Sequence, residues 1–435
     1  MFAASVGFIV VFSFILFQVP IATALGLVGF GGYVAMTGWT PALSMVATVT
    51  RDSTLVYTLI VLPLFILMGN LVAGAGISTE LFRAAQAMIG RRRGSLAMAT
   101  VVACGGFGAI CGSSVATAAT MGKVAIPAMR KLGYADSLSA ASVAAGGTLG
   151  ILIPPSIIMV IYGIATQTHI GMLFAAGIVP GIIAILGYMA AVKWSVWRNP
   201  AAAPLGDTDE KLEAGALWRA LWPVAVIFTI VMGGIYGGIF TSIEASGIGA
   251  VAALLFALSR KNLKLRDIYD ILVDTAQTSA MMFAIILGAA MFGEFVNKTG
   301  VHEGLLAVVQ GSGLPPFGII MLIVVMYLLL GSVLESISMI LLTIPIFFPI
   351  IKAMGLDPVW FGILIVVVVE VGLIHPPIGV NLFVIRSVMP DIPMMTVVKG
   401  VVPFIVADLL RIVLIAAVPA ISLWLPHLLF KSAAG

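Results

Sequence analysis

The chain is written in long apolar runs separated by short polar loops, without the two-residue alternation of a half-buried strand. Runs of that length predict membrane-crossing helices, because lipid offers backbone N–H and C=O groups no partners outside their own helix. Predicted spans are 3–19, 21–38, 54–73, 137–165 and 172–193, then 220–238, 245–259, 271–296, 359–385 and 400–425. Two more regions, 95–128 and 317–350, are apolar yet carry a polar, small-residue centre: GAICGSSVATAAT around Ser113 and Ser114, and GSVLESISM around Glu335. These predict re-entrant hairpins whose tips unwind under a cover of protein or water. Spans 137–165 and 359–385 each contain a helix-breaking motif, GILIPPSIIM at Gly150–Met159 and GLIHPPIGVN at Gly372–Asn381. Proline lacks an N–H and clashes with the preceding turn, so each motif ends one half-helix and starts another.

The two motifs belong to one register. A shift of 222 residues superposes Gly150 on Gly372, Pro154 and Pro155 on Pro376 and Pro377, Pro127 on Pro349, Gly133 on Gly355 and Ser114 on Ser336. The shift predicts a duplication: a first repeat over 1–196, a polar linker over 197–219 and a second repeat over 220–435. Arg91–Arg93, Arg130–Lys131, the linker and Arg260–Arg266 hold most of the basic residues, which places them in the cytoplasm and both termini outside. Five spans then separate the N-terminus from the linker, so the repeats are predicted to be inverted. The expected fold is an all-α polytopic membrane protein of two inverted repeats, each with a hairpin and a Pro-Pro-broken helix.

Composition agrees and removes alternatives. The chain has 435 residues, 61% hydrophobic and 9% charged, with a mean hydropathy of +1.19. Its net charge of +4 sits in short loops beside spans, where it orients the protein and does not bind nucleic acid. Cys104 and Cys111 lie in an apolar stretch and are expected to be packing thiols. The N-terminal apolar segment has no basic lead and reads as a first span. No HExxH, nucleophile elbow or Walker A pattern occurs, so no enzyme is expected. A channel remains open at this stage, although unequal polar linings favour alternating access.

Broken helices in inverted repeats form the ion and substrate sites of secondary transporters, where free carbonyls suit a cation and free N–H groups an anion. The candidate ion-binding residues are therefore Gly112, Ser113, Ser114, Thr148 and Gly150 in the first half, with Glu335, Ser336, Glu370, Gly372 and His375 in the second. The candidate substrate-binding residues are Pro154, Pro155, Ser156, Pro376, Pro377 and Asn381. An acid at membrane depth is costly, which singles out Glu335 and Glu370. Thr148 and Ser156 have the alternative of bonding back to their own helix. Asp408 and Arg411 stand three apart on the last predicted span and read as a mutual structural pair. Glu370 and His375, five residues apart, are expected to make the second ion site pH-sensitive.

The motifs GSSVATAAT…GGTLGILIPPS and LES…FFPIIKAMGLDPVWFGI…EVGLIHPPIGVNLFV resemble the large membrane subunit of tripartite ATP-independent periplasmic (TRAP) transporters, over essentially the whole chain. The resemblance implies an elevator-type carrier of the ion-transporter superfamily in the bacterial inner membrane. It implies import of a carboxylate solute (a C4-dicarboxylate, sialic acid or keto acid) driven by Na+, with proton coupling left open beside it and no organic cofactor. It also implies a small four-helix membrane subunit, expected as a separate chain, and a periplasmic substrate-binding protein. The alternative is a related sodium-coupled anion carrier that works without a binding protein. The family commonly has Thr before the second Pro-Pro, where this chain has His375.

Overall fold

The computed structural model describes residues 2–90, 92–205, 214–260, 264–332, 334–376 and 378–430. These fold into helices, with no strand among them. In chain order the first ten are α1 (Phe2–Leu16), α2 (Ile21–Thr37), α3 (Trp39–Thr54), α4 (Val61–Gly74), α5 (Ile77–Ile89), α6 (Ser95–Cys111), α7 (Ser114–Lys131), α8 (Asp136–Leu152), α9 (Ile157–Thr166) and α10 (Ile170–Arg198). The rest are α11 (Ala214–Tyr236), α12 (Ser242–Ser259), α13 (Leu265–Lys298), α14 (Val301–Gly311), α15 (Pro316–Gly331), α16 (Ser336–Ala353), α17 (Pro358–Ile374), α18 (Val380–Val388), α19 (Met394–Ala417) and α20 (Ala420–Leu429). Among the described residues, seven stretches are long and apolar enough to cross a membrane unaided, Asp136–Thr166 and Leu265–Lys298 included.

Helix ends follow local chemistry. Asp357 accepts from the backbone N–H groups of Val359 (2.7 Å) and Trp360 (3.1 Å), and Pro358 opens α17 with a ring that needs no donor. Thr241 and Glu244 close a reciprocal capping box on α12, which makes Glu244 an end-of-helix charge. The predicted span 400–425 is two helices: Val418 and Pro419 interrupt it between α19 and α20. The predicted linker is shorter than 197–219, because α10 runs to Arg198 and α11 begins at Ala214; residues 206–213 lie outside the described residues. Three amphipathic helices, α3, α5 and α14, were not expected as helices. They lie beside spans and lack the unbroken apolar run on which span prediction depends.

The two interrupted helices form the centre. Every residue of α8 from Leu138 to Leu152, and of α17 from Val359 to Ile374, is buried. Around them pack α6, α7, α10, α15, α16, α18 and α19. A second group, α1, α2, α4, α11, α12 and α13, packs along one side, with α2 against α13 and α4 against α12 as its tightest seams. Small residues set those seams: a Cβ on Gly29 would come within 2.6 Å of the Met291 carbonyl carbon, so the backbones touch directly.

Candidate functional site

Each hairpin unwinds where the polar patch predicted. Gly112 ends α6 with φ +63°, a left-handed conformation that glycine adopts without strain. Ser113 follows as the cap of α7, its hydroxyl accepting from the Ala116 N–H at 3.4 Å. The turn rests on the first break, since a Cβ on Gly112 would sit 2.8 Å from the Pro155 carbonyl oxygen. In the second hairpin, Glu335 caps α16, with Oε1 accepting from the Ser338 N–H (3.3 Å) and hydroxyl (2.8 Å). The breaks fall at 153–156, which includes a cis Pro154–Pro155 bond, and at 375–379. Pro377 lies outside the described residues.

A cavity of about 380 Å³ opens where these parts meet. Gly112, Ser113 and Ser114 line it from one tip, Glu335 and Ser336 from the other. Ile151 and Ile157 flank it at the first break, Leu373 and Val380 at the second. The opposite wall comes from the side group of helices: Asn70 of α4, and Thr278, Met281 and Met282 of α13. Asn70 also donates to Thr275 of α13 at 3.1 Å, which fixes that wall. Hydroxyl, amide and carboxylate oxygens supply the polar lining, and no Lys, Arg or His is part of it among the described residues. Oxygen ligands and a net negative charge suit a hard monovalent cation.

Five of the sequence candidates therefore meet at one cavity, and the others lie elsewhere. Gly150 and Gly372 are approach points. A Cβ on Gly150 would press on the Ser113 carbonyl, and one on Gly372 on the Gly331 carbonyl, each at 2.8 Å. Each broken helix thus packs directly on its own hairpin. Ser156 caps α9 and spends its proton on the Ile151 carbonyl. Asn381 is fully buried; its amide donates to the Ser114 hydroxyl (2.8 Å) and the Ala144 carbonyl (2.9 Å), which binds the second half to the first tip. Pro154, Pro155 and Pro376 form the breaks without lining the cavity. His375 caps α17 and is exposed.

Thr148 and Glu370 need correction as ion ligands. Thr148 donates back to the Ala145 carbonyl (2.8 Å) and lies 3.0 Å from the Tyr188 hydroxyl. Tyr188 in turn donates to Asp408 Oδ2 at 2.7 Å, and Arg411 Nη2 bonds both Asp408 Oδ1 (2.7 Å) and Glu370 Oε2 (2.5 Å). Glu370 thus meets a guanidinium where a sodium ion was expected. It does not reach His375 either: five residues turn a helix by about 500°, leaving the two side chains about 140° apart. Asp408 and Arg411 form the pair read from the sequence. The cavity's Asn70, Thr278 and methionines were missed, although Asn70 and Thr278 are polar positions inside apolar spans. Tyr188 was missed for a different reason: a tyrosine in a span gives no sign of its partner.

Residues 8–421 match the DctM component of the tripartite ATP-independent periplasmic transporters. The chain belongs to that family. Its relatives include the C4-dicarboxylate TRAP transporter large permease protein DctM of Pseudomonas aeruginosa, 36% identical over 86% of this chain and 88% of that protein. Another is the isethionate TRAP transporter permease protein DctMQ of Oleidesulfovibrio alaskensis, 36% identical over 94% of this chain but only 64% of the relative. The solved structure of the Alcanivorax borkumensis YdaH transporter has a similar fold, with a TM-score of 0.64 at 15% identity over 89% of this chain and 90% of that one. The protein is thus a TRAP large permease component, multi-pass in the membrane.

Proposed function

We propose that this permease imports a carboxylate-containing solute across the bacterial inner membrane by symport with Na+. The solute belongs to the C4-dicarboxylate, sialic acid or keto acid class and arrives on a periplasmic binding protein. The observation that carries the reading is the cavity at which both hairpin tips and both break flanks meet one wall of α4 and α13. Sodium is cargo in this scheme, attracted by the acidic, oxygen-lined tips; Ser113 and Ser114 with nearby carbonyls are its first site, and Glu335 and Ser336 lie opposite. The solute carboxylate is drawn to the N–H groups that open α7, because the Glu335 carboxylate already caps α16. The two halves are read as inverted repeats, and the core around α8 and α17 as the body that slides, elevator fashion, along the side group of helices. A small four-helix subunit completes the system; the name DctMQ suits a relative in which the two components are one chain.

The test is uptake into liposomes holding this chain and its small subunit, with the solute identified by mass spectrometry from the cognate binding protein. Uptake should require the loaded binding protein and an inward sodium gradient. Ser113→Ala with Ser114→Ala should raise the sodium concentration for half-maximal uptake several-fold. Undiminished uptake without the binding protein would favour the stand-alone carrier. Sodium dependence unchanged by the double substitution would remove the hydroxyls from the ion site.

A further inference from the structure

The Glu370 cluster is placed by helices from both halves: Thr148 on α8 and Tyr188 on α10, Glu370 on α17, Asp408 and Arg411 on α19. It is closed to solvent, with Glu370 0%, Asp408 1% and Arg411 3% exposed. Counted as charges, two carboxylates face one guanidinium, and an unbalanced charge is strongly disfavoured in a dry interior. Counted as bonds, three buried atoms of the cluster are left over, Glu370 Oε1 and the Nε and Nη1 of Arg411, and among the carboxylate oxygens the gap is at Glu370. Asp408 uses both oxygens, one on Arg411 and one on Tyr188, whereas Glu370 Oε1 has no partner among the described residues. We infer that Glu370 is a proton-binding site, carrying one exchangeable proton on Oε1 that makes the cluster neutral.

The bonding separates a proton from sodium. Sodium requires several oxygen ligands, yet every carboxylate oxygen in the cluster except Glu370 Oε1 is already engaged, and Arg411 stands beside it. A proton needs one oxygen. A groove of about 660 Å³ between α10 and α19 is lined by Tyr188, Asp408 and Arg411 and stops short of Glu370. Among the described residues, no other charged group competes for Glu370 from the helices around α17. Tyr327 of α15 bonds Thr343 and Tyr162 of α9 bonds the Pro358 carbonyl. Asp136 of α8 pairs with Arg130, and Glu335 caps α16. Lys352 of α16, Arg386 of α18, Lys399 of α19, Lys193 and Arg198 of α10 and His427 of α20 are exposed. The inference is independent of the sodium reading, because it concerns a cluster away from the transport cavity.

Infrared spectroscopy of the purified full chain tests it, using protons and NaCl as the probes. At pH 7 the wild type should show a deuterium-sensitive carbonyl stretch of a protonated carboxylic acid, equal in NaCl and choline chloride, and absent from Glu370→Gln. An exposed glutamate releases its proton above about pH 4.3, so the fold should hold one proton that the unfolded chain has lost. The unfolding constant then rises about tenfold per pH unit while Glu370 stays protonated, and the thermal midpoint falls from about pH 6 to 8. Glu370→Gln should flatten that slope. A wild type without the band, or a band abolished by NaCl, overturns the inference, the second result assigning the site to sodium. If Glu370→Gln does not fold, survival of the band in Glu335→Gln supports the assignment and its loss there overturns it.

Discussion

Asn381 illustrates what a single residue can and cannot reveal. Its place beside the second Pro-Pro marked it as a substrate ligand, since a buried amide near a break is a good hydrogen-bonding group. In the fold, both its donors are spent inside the protein, on Ser114 and Ala144. Its effect on the cavity is therefore indirect: it orients the Ser114 hydroxyl at the first tip. Asn381→Ala leaves a buried carbonyl and hydroxyl without that donor, a loss of about 1–3 kcal/mol. The substitution should lower the thermal midpoint of the purified chain and weaken uptake together. Full stability with impaired uptake would instead return Asn381 to direct contact with solute. The position of Ser113, Ser114, Glu335 and Ser336 at the helix interruptions was legible, because polar groups inside an apolar hairpin are costly unless the chain unwinds around them. Thr148 and Ser156 took the alternative read from the sequence and bond back to Ala145 and Ile151, whereas the fate of Glu370 and Asn381 was not legible, because each depends on a partner 41 to 267 residues away that no local pattern names.

At the scale of elements, the breaks and hairpins were the most legible part. Proline and glycine act through the backbone, so their effect is local and survives folding. The amphipathic helices were hidden for the converse reason: their stability comes from a surface they lie against. One contact between elements carries a pH dependence. Arg130, at the end of α7, bonds Asp136 at the start of α8 (2.6 Å) and Asp391 in the α18–α19 loop (2.5 Å), tying the first hairpin to the second broken helix. The Arg130 guanidinium holds the Asp391 carboxyl below the usual carboxylate range. A depressed folded value means the contact contributes at neutral pH. The contribution is lost as pH falls from about 3.9 through that lower value. Asp391→Asn should therefore lower the thermal midpoint slightly at neutral pH, and the two proteins should converge in acid. Curves that stay parallel down to about pH 3, below the ordinary carboxylate value, would show that Asp391 adds nothing to the clamp.

At the scale of the whole molecule, the cavity has one wall on the side group of helices and the other on the hairpins and breaks. Asn70 on α4 and Val115 on α7 line that cavity together in this arrangement, and the proposed sliding motion requires them to separate during transport. By contrast, Glu80 of α5 and Arg260, the residue that caps α12, form an ion pair between α5 and the side group, and α5 is expected to stay with that group. Cysteines placed at Asn70 and Val115, in a background where Cys104 and Cys111 are replaced, should be captured by a short bismaleimide. The capture should abolish uptake. Cysteines at Glu80 and Arg260 should cross-link as readily and leave most uptake intact. The two native thiols are buried and form no disulfide, so alanine is the replacement, since it adds no polar group to a buried site. Uptake that persists after complete Asn70–Val115 capture would rule out sliding at this wall. Both halves would then have to pass solute through a path that opens without separating α4 from the first hairpin.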